Sequence, residues 1–417
     1  MALTAPASAF SRIAQLAADR RVHRAFKWLH LQEQQMLRWQ AELVRVPAPP
    51  FGERPRAEWL CERFRELGLD QVCIDPIGNA MAVRKGAASN GVPQRVLLSA
   101  HIDTVFPPET PIEWRLEGTR LEAPGACDNG AGVVCMLAIA AALANAGMEH
   151  GADLMFAGNV GEEGEGDLRG MRHLYDSSGF RESIAAHIVL DGAGHEVAIT
   201  HALGSRRFLV TVRGPGGHSW TDAGRPNPIV TLSRAIARLS EVELASAPRT
   251  TINVGTIEGG TAINAIPEKA SARFDFRSTD PDQLIRLEVE LHRAVEDAVM
   301  AANRETGQTP ANRNRLSFSI EKIGSRPAGH LADDSPLYET LRAVDRHLNI
   351  RTEPRIASTD ANIPLSLGVP ALSVGAGGEG GGIHTRSEWY DARGRELGLR
   401  RVLLLLLALA GVDRLAM

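Results

Sequence analysis

RVLLSAHIDTV, residues 95–105, sets an apolar run directly against a histidine and an aspartate. A short apolar stretch rich in Val and Leu fits a strand buried on both faces, as in a parallel sheet. Similar runs recur at NAMAV (79–83), DLMFAGN (153–159), AHIVL (186–190) and ALSVG (371–375). Helical stretches lie between several of them, notably Gly130–Ala146 and Pro336–Leu348. Apolar strands alternating with helices predict an α/β layered domain around a largely parallel sheet. Further helices are expected from about Val22 to Val46, ended by Pro47, and from about Arg54 to Gly68. VPAPPFGE between them reads as an exposed loop.

The middle of the chain has a different rhythm. Arg206–Arg213 reads as a strand, Pro226–Val242 as a helix, and Thr250–Ile257 and Ala270–Arg277 as strands around a Gly-Gly turn. A long helix, Pro281–Ala302, and a strand, Leu316–Ile323, complete a β-α-β-β-α-β order, that of a ferredoxin-like unit. Residues 206–325 therefore interrupt a larger domain made of 1–205 and 326–417.

Polar residues stand just beyond the apolar runs of the larger domain. His101 and Asp103 follow the first, Glu162 and Glu163 follow DLMFAGNVG, Asp191 follows AHIVL, and His384 follows ALSVG and a glycine-rich loop. Asp128, in GACDNGAGVV, opens a helix and could face the same edge. In open α/β sheets, ligands bind outside the carboxyl ends of the strands. Two histidines with several carboxylates suit zinc, or cobalt or manganese. Two cations held a few ångströms apart by a bridging carboxylate can acidify a shared water and grip a tetrahedral intermediate. One more carboxylate then takes the proton, so the Glu162–Glu163 pair offers one base and one ligand. Taken singly, each residue has a simpler reading: Asp128 as an N-cap, His101 as a core histidine, Asp191 as a turn residue, Glu162 and Glu163 as a solvated loop. Their shared position after strand ends speaks for a site.

These motifs resemble the M20 family of metallopeptidases. The resemblance is carried by SAHIDTV (99–105), GACDNGAG (125–132), NVGEEGEGD (159–167), LDG (190–192), GGHSW (216–220), GGTAINAIPEKASARFDFRS (259–278) and GGIHTRSEW (381–389). It implies a phosphorylase/hydrolase-like catalytic domain with an inserted ferredoxin-like lid that also forms a homodimer. It implies two divalent ions per chain, with Asp128 bridging, His101 and Asp191 on one ion, and Glu163 and His384 on the other. By the same resemblance Glu162 is the general base and Asp103 holds His101 in its ligand tautomer. His218 would stabilise the oxyanion in the partner's site, and Asn264 and Arg277 would contact substrate, Arg277 through a carboxylate. STDANIP (358–364) and GAGGEGGGIH resemble the peptidase T-like branch, which assigns Asp360, Asn362 and Gly378 to substrate binding. Glycines 375–382 read as backbone that substrate approaches closely. The activity implied is cleavage of short peptides by an exopeptidase, with an N-acyl-amino-acid or carbamoyl amidohydrolase as the alternative. An inactive binding protein is a remoter alternative, disfavoured because every expected position is filled.

The remaining features set bounds. The 417 residues are 44% hydrophobic and 23% charged with a net charge of −4, ordinary for a globular protein. No basic run interleaved with aromatics supports nucleic-acid binding. Cys61, Cys73, Cys127 and Cys135 lack metal-knuckle spacing and read as buried, reduced thiols of a cytoplasmic protein. The start of the chain lacks the apolar segment of a secretory signal. VLLLLLALAGV from Val402 is too short to cross a membrane and reads as a buried C-terminal helix.

Overall fold

The computed structural model describes residues 8–87, 94–177, 179–307 and 314–412. The chain divides into two compact units, Met1–Ala202 with His330–Met417, and Leu203–Gly329. The chain leaves the first unit and returns to it at neighbouring points, where the Leu331 amide donates to the Thr200 carbonyl at 2.8 Å.

The sheet of the first unit runs in the order Asp70–Ile74, Ala80–Arg84, Asp153–Asn159, Arg95–His101, Ile184–Leu190, Ala371–Val374 and Val197–Ala202, and Glu353–Ala357 pairs with the last. The four strands from Asp153–Asn159 to Ala371–Val374 are mutually parallel. Their neighbours Ala80–Arg84 and Val197–Ala202 run antiparallel to them. His101 lies opposite Asn159, and Leu190 opposite Val374, so four carboxyl ends meet at one edge. Side chains alternate between faces: Val96, Leu98 and Ala100 join the larger core, while Leu97 packs on the other side with Met155, Met171 and Leu174. Buried on both faces, these strands are continuously apolar, which is why they can be read from sequence.

Gly130–Ala146 is buried along almost its whole length. The Asn129 Oδ1 caps it by accepting from the Gly132 amide at 3.1 Å. A Cβ on Gly132 would lie 2.8 Å from the Leu190 carbonyl, so glycine lets the helix start touch the strand that ends at Asp191. Asp128 therefore precedes the cap and does not open the helix. The apolar C-terminal run lies in a buried helix, Arg395–Leu409, whose Arg401 is fully buried and grips Asp345 through two bonds of 2.7 and 3.0 Å. No helix among the described residues is long and apolar enough to cross a membrane.

Three further expectations need correction. The predicted helix over 22–46 is two helices, Arg20–Leu31 and Glu33–Val44, because Gln32 (φ −101°, ψ 20°) leaves the helical region. VPAPPFGE is not simply exposed. Ala48 and Glu53 are buried, the Ala48 carbonyl accepting from Thr104 and Glu53 pairing with Arg169 at 2.6 Å. Cys61, Cys127 and Cys135 are buried free thiols, but Cys73 is exposed because it lies on the edge strand Asp70–Ile74.

In the inserted unit the strand order is Thr250–Gly259, Lys269–Ser278, Gly204–Arg213, Ser317–Arg326, with all neighbours antiparallel. Helices Pro228–Ser240 and Pro281–Glu305 cover one face, where Phe208, Val210, Phe274 and Phe276 meet Leu232, Leu287, Leu291 and Val295. The arrangement is ferredoxin-like.

A polar chain crosses the interior of the first unit. His187 is fully buried, with the Ser99 hydroxyl 2.8 Å from Nε2 and the Tyr175 hydroxyl 2.9 Å from Nδ1. Burial depresses its pKa from 6.5 to about 3. The ring is therefore neutral in the fold but protonates in the unfolded chain below about pH 6.5. Its contribution to stability is fully present above that pH and is lost as pH falls towards about 3. His187→Gln is expected to remove about 2 kcal/mol from the drop in unfolding free energy between pH 7 and pH 5. Urea unfolding at both pH values measures this, and an unchanged slope would place the acid sensitivity elsewhere.

Candidate metal centre

The carboxyl edge of the parallel strands gathers five of the residues named from sequence. His101 ends its strand fully buried, and its Nε2 lies 3.0 Å from Asp128 Oδ1 and 3.8 Å from Asp191 Oδ1. His384, half exposed and at φ +64°, brings its Nε2 to 3.0 Å from Asp128 Oδ2 and 2.9 Å from Glu163 Oε1. The two oxygens of Asp128 thus face two different imidazoles. Donor atoms of His101, Asp128 and Glu163 lie within 4.8 Å of one another.

The donor set fits divalent cations. Ligands of a tetrahedral zinc, each about 2.0–2.2 Å from the ion, stand roughly 3.3–3.6 Å apart, and the separations here bracket that spacing. Asp128 Oδ1 is buried against the ring of His101. The charges also fit. Burial disfavours the cationic form of His101, but Asp103, Asp128 and Asp191 outweigh it and push its pKa well above 6.5. The bond to Asp128, assisted by Glu163, pushes His384 up to about 9. Burial opposes ionisation of Asp128, yet both histidines hold its carboxyl below the usual range. Burial raises Glu163. Excess carboxylate thus draws protons onto the imidazoles, and a metal ion would take the place of those protons.

Asp103 also anchors the glutamates. Its two carboxylate oxygens accept the backbone amides of Glu162 at 3.1 Å and Glu163 at 2.7 Å. Toward His101 Nδ1, its carbonyl oxygen is nearer (3.2 Å) than its carboxylate (3.7 Å). Glu162 is buried beside this anchor.

Three supports escaped the sequence reading. Glu388 is fully buried and accepts the amides of Gly125 at 3.0 Å and of Cys127 and Asp128 at 2.8 Å, fixing the Asp128 turn. Asn129 ties that turn to the neighbouring strand end. Its Nδ2 donates to the Leu190 carbonyl at 2.8 Å, and its Oδ1 accepts the Gly192 amide at 3.1 Å. Arg56, also buried, donates to the carbonyls of Ile102 and Val46. Glu388 lies inside GGIHTRSEW and Asn129 inside GACDNGAG, so both stood in quoted motifs. Nothing in RPRAEW marks Arg56.

The other named residues are not among these donors. Asp360 is buried behind the strand ends. It accepts from Asn159 Nδ2 at 2.7 Å, and burial pushes its pKa up to about 7. Asn362 is buried, its Oδ1 accepting the Thr359 amide at 2.8 Å. Gly378 sits at φ +70°, and a Cβ there would lie 2.4 Å from the Tyr390 hydroxyl. Packing against Tyr390 by itself requires a glycine there. His218, Asn264 and Arg277 belong to the inserted unit. His218 is exposed with its amide held by Asp222 at 2.8 Å, Asn264 is exposed, and Arg277 Nε donates to Asp275 at 2.7 Å.

A parallel sheet carrying a histidine–carboxylate cluster at its carboxyl edge, with a ferredoxin-like insertion, defines a hydrolase of the metallopeptidase type. The chain belongs to peptidase family M20/M25/M40, whose family model matches residues 97–408, and it is an enzyme of the hydrolase class. A succinyl-diaminopimelate desuccinylase of Corynebacterium glutamicum is 26% identical over 345 residues, 80% of this chain and 86% of that protein. Aminopeptidase PepT of Bacillus cereus shares the fold at 20% identity with a TM-score of 0.70, over 91% of this chain and 99% of that one. The Bacillus subtilis YXEP protein, described as a dinuclear metal-binding peptidase of the M20 family, superposes with a TM-score of 0.66 at 14% identity, covering 91% and 99% of the two chains.

Proposed function

We propose that this chain is a two-metal exopeptidase that cleaves the amide bond of short peptides, of the di- or tripeptidase type. The observation that carries the reading is Asp128, whose two oxygens each stand 3.0 Å from a different histidine, the geometry of a bridging ligand. His101 and Asp191 would hold one ion with it, and Glu163 and His384 the other. Bound zinc would supply Lewis acidity and a water acidic enough to react near neutral pH. Glu162 would accept the proton of the attacking water and return it to the leaving amine. Asp103 holds both glutamates by their amides, so base and ligand keep their separate places. Arg277 and Asn264 receive substrate, and Arg277 selects a free carboxylate. The inserted unit serves as lid and homodimer interface, with His218 serving the partner's site.

Elemental analysis of native protein is expected to give two divalent ions per chain, and exhaustive chelation to abolish hydrolysis until zinc, cobalt or manganese is restored. Full activity after chelation would overturn the reading. Light scattering of an active, strictly monomeric chain would remove the dimer from it. The second reading, an N-acyl-amino-acid amidohydrolase, is favoured by the desuccinylase relative. A substrate panel of dipeptides, tripeptides and N-acetyl amino acids separates the two.

A further inference from the structure

We infer that Asp275 is a positioning residue that aims the guanidinium of Arg277, together with that of Arg207, at a substrate carboxylate. The inference rests on the proposed role of Arg277 and adds how that arginine is prepared for it. Asp275 and Arg277 are two apart on the Lys269–Ser278 strand and so share a face. Arg207 stands directly across from Asp275 on Gly204–Arg213. Phe208, Phe274 and Phe276 point the other way into the helix-covered core, so the three charged residues occupy the face without helices.

The pattern of nitrogens decides between a solvated surface cluster and a prepared anion site. Arg277 gives its Nε to Asp275 Oδ2 at 2.7 Å, and Arg207 gives its Nε to Asp275 Oδ1 at 3.2 Å. Among the described residues, none accepts from a terminal Nη atom of either arginine. One carboxylate therefore holds both guanidinium stems and leaves both outer edges open. Arg277 is 41% exposed at its side chain while Asp275 is 24% exposed, as expected if the fork reaches out and its anchor stays behind. A guanidinium whose plane is already fixed loses less freedom on taking a carboxylate than a swinging one. Two guanidiniums and one carboxylate carry a net single positive charge, matched to one carboxylate of a peptide or an N-acyl amino acid.

This assignment has a sign opposite to simple electrostatics. Removing Asp275 makes the face more positive, which on charge alone would tighten anion binding. Positioning requires the reverse.

The test uses the full-length, metal-loaded enzyme and four variants: Asp275→Ala, Asp275→Asn, Arg277→Lys and the double variant Asp275→Ala/Arg277→Lys. kcat and KM are measured for leucylglycine and N-acetylmethionine, each against its C-terminal amide. Asp275→Ala is expected to raise KM for the free acids about three- to tenfold, with kcat little changed and the amides unaffected. Asp275→Asn, which keeps an acceptor oxygen and the shape, should lose less. In the double variant the loss should be smaller than the product of the two single losses, since both changes act in part through the Arg277 guanidinium. A lower KM for the acids in Asp275→Ala, or equal changes for acids and amides, would overturn the inference. So would unaltered constants in both Asp275 variants with circular dichroism and metal content like the parent. If Arg277→Lys itself leaves the acid-to-amide ratio unchanged, the role of Arg277 fails first, a distinct result.

Discussion

Replacing Glu162 with glutamine is expected to leave the metal content intact and to lower kcat by about 10²–10⁴-fold, the usual yield of a positioned general base. The two neighbouring glutamates differ in their surroundings. Glu163 reaches His384 at 2.9 Å and belongs to the donor cluster with His101 and Asp128. Glu162 does not belong to that cluster, yet its amide is pinned by the same aspartate. Glutamine keeps the size and the backbone anchor and removes only the ability to accept a proton. Glu163→Gln should behave in the opposite way, with metal lost on the His384 side before turnover is affected by any other route. Steady-state kinetics with elemental analysis of both variants separates the roles. Near-normal turnover of Glu162→Gln would remove the base from Glu162.

Glu388→Ala is expected to weaken metal binding about 10–100-fold although Glu388 is not proposed as a ligand. Its carboxylate is the acceptor for three consecutive-turn amides, those of Gly125, Cys127 and Asp128. Alanine leaves those donors buried without a partner, at about 1–3 kcal/mol for each. The turn must then open, and Asp128 can no longer hold its two oxygens toward the two histidines. Glu388→Gln should fall between, because one oxygen remains for Cys127 and Asp128 while an amide donor faces that of Gly125. Competition with a chromophoric metal indicator measures the affinity, and thermal unfolding measures the stability. Parent-like metal affinity in Glu388→Ala would show that the turn holds its shape without this acceptor.

The centre of the fold was legible because burial on both faces forces continuous apolar runs such as RVLLSA and DLMFAGN. The outlying strands Asp70–Ile74, Val197–Ala202 and Glu353–Ala357 were not, since they are half-buried or exposed and their patterns do not stand out from loops. The break at Gln32 is invisible in an unbroken amphipathic pattern. The clustered polar residues were readable because each ends a recognisable strand or sits in a glycine-rich turn. Glu388 and Arg56 act on backbone atoms of distant segments, and a sequence carries no local sign of such a partner. The packing of Gly378 against Tyr390 was not legible, since that contact is set by the fold although the two are near in sequence.

The hydrogen bond from Leu331 to Thr200 closes the first unit across the place where the second is inserted. From the first unit's side, residues 203–329 amount to a long hairpin loop whose two ends are already tied together. The entropy of closing a loop grows only with the logarithm of its length, so a whole folded module burdens the host little more than a short excursion. With substrate received by the inserted unit, as proposed, the chemistry and the means of choosing what undergoes it can vary on separate schedules. A lineage can reshape the graft, its reach or its guanidinium face, while the donor atoms between residues 101 and 384 stay where the host sheet holds them.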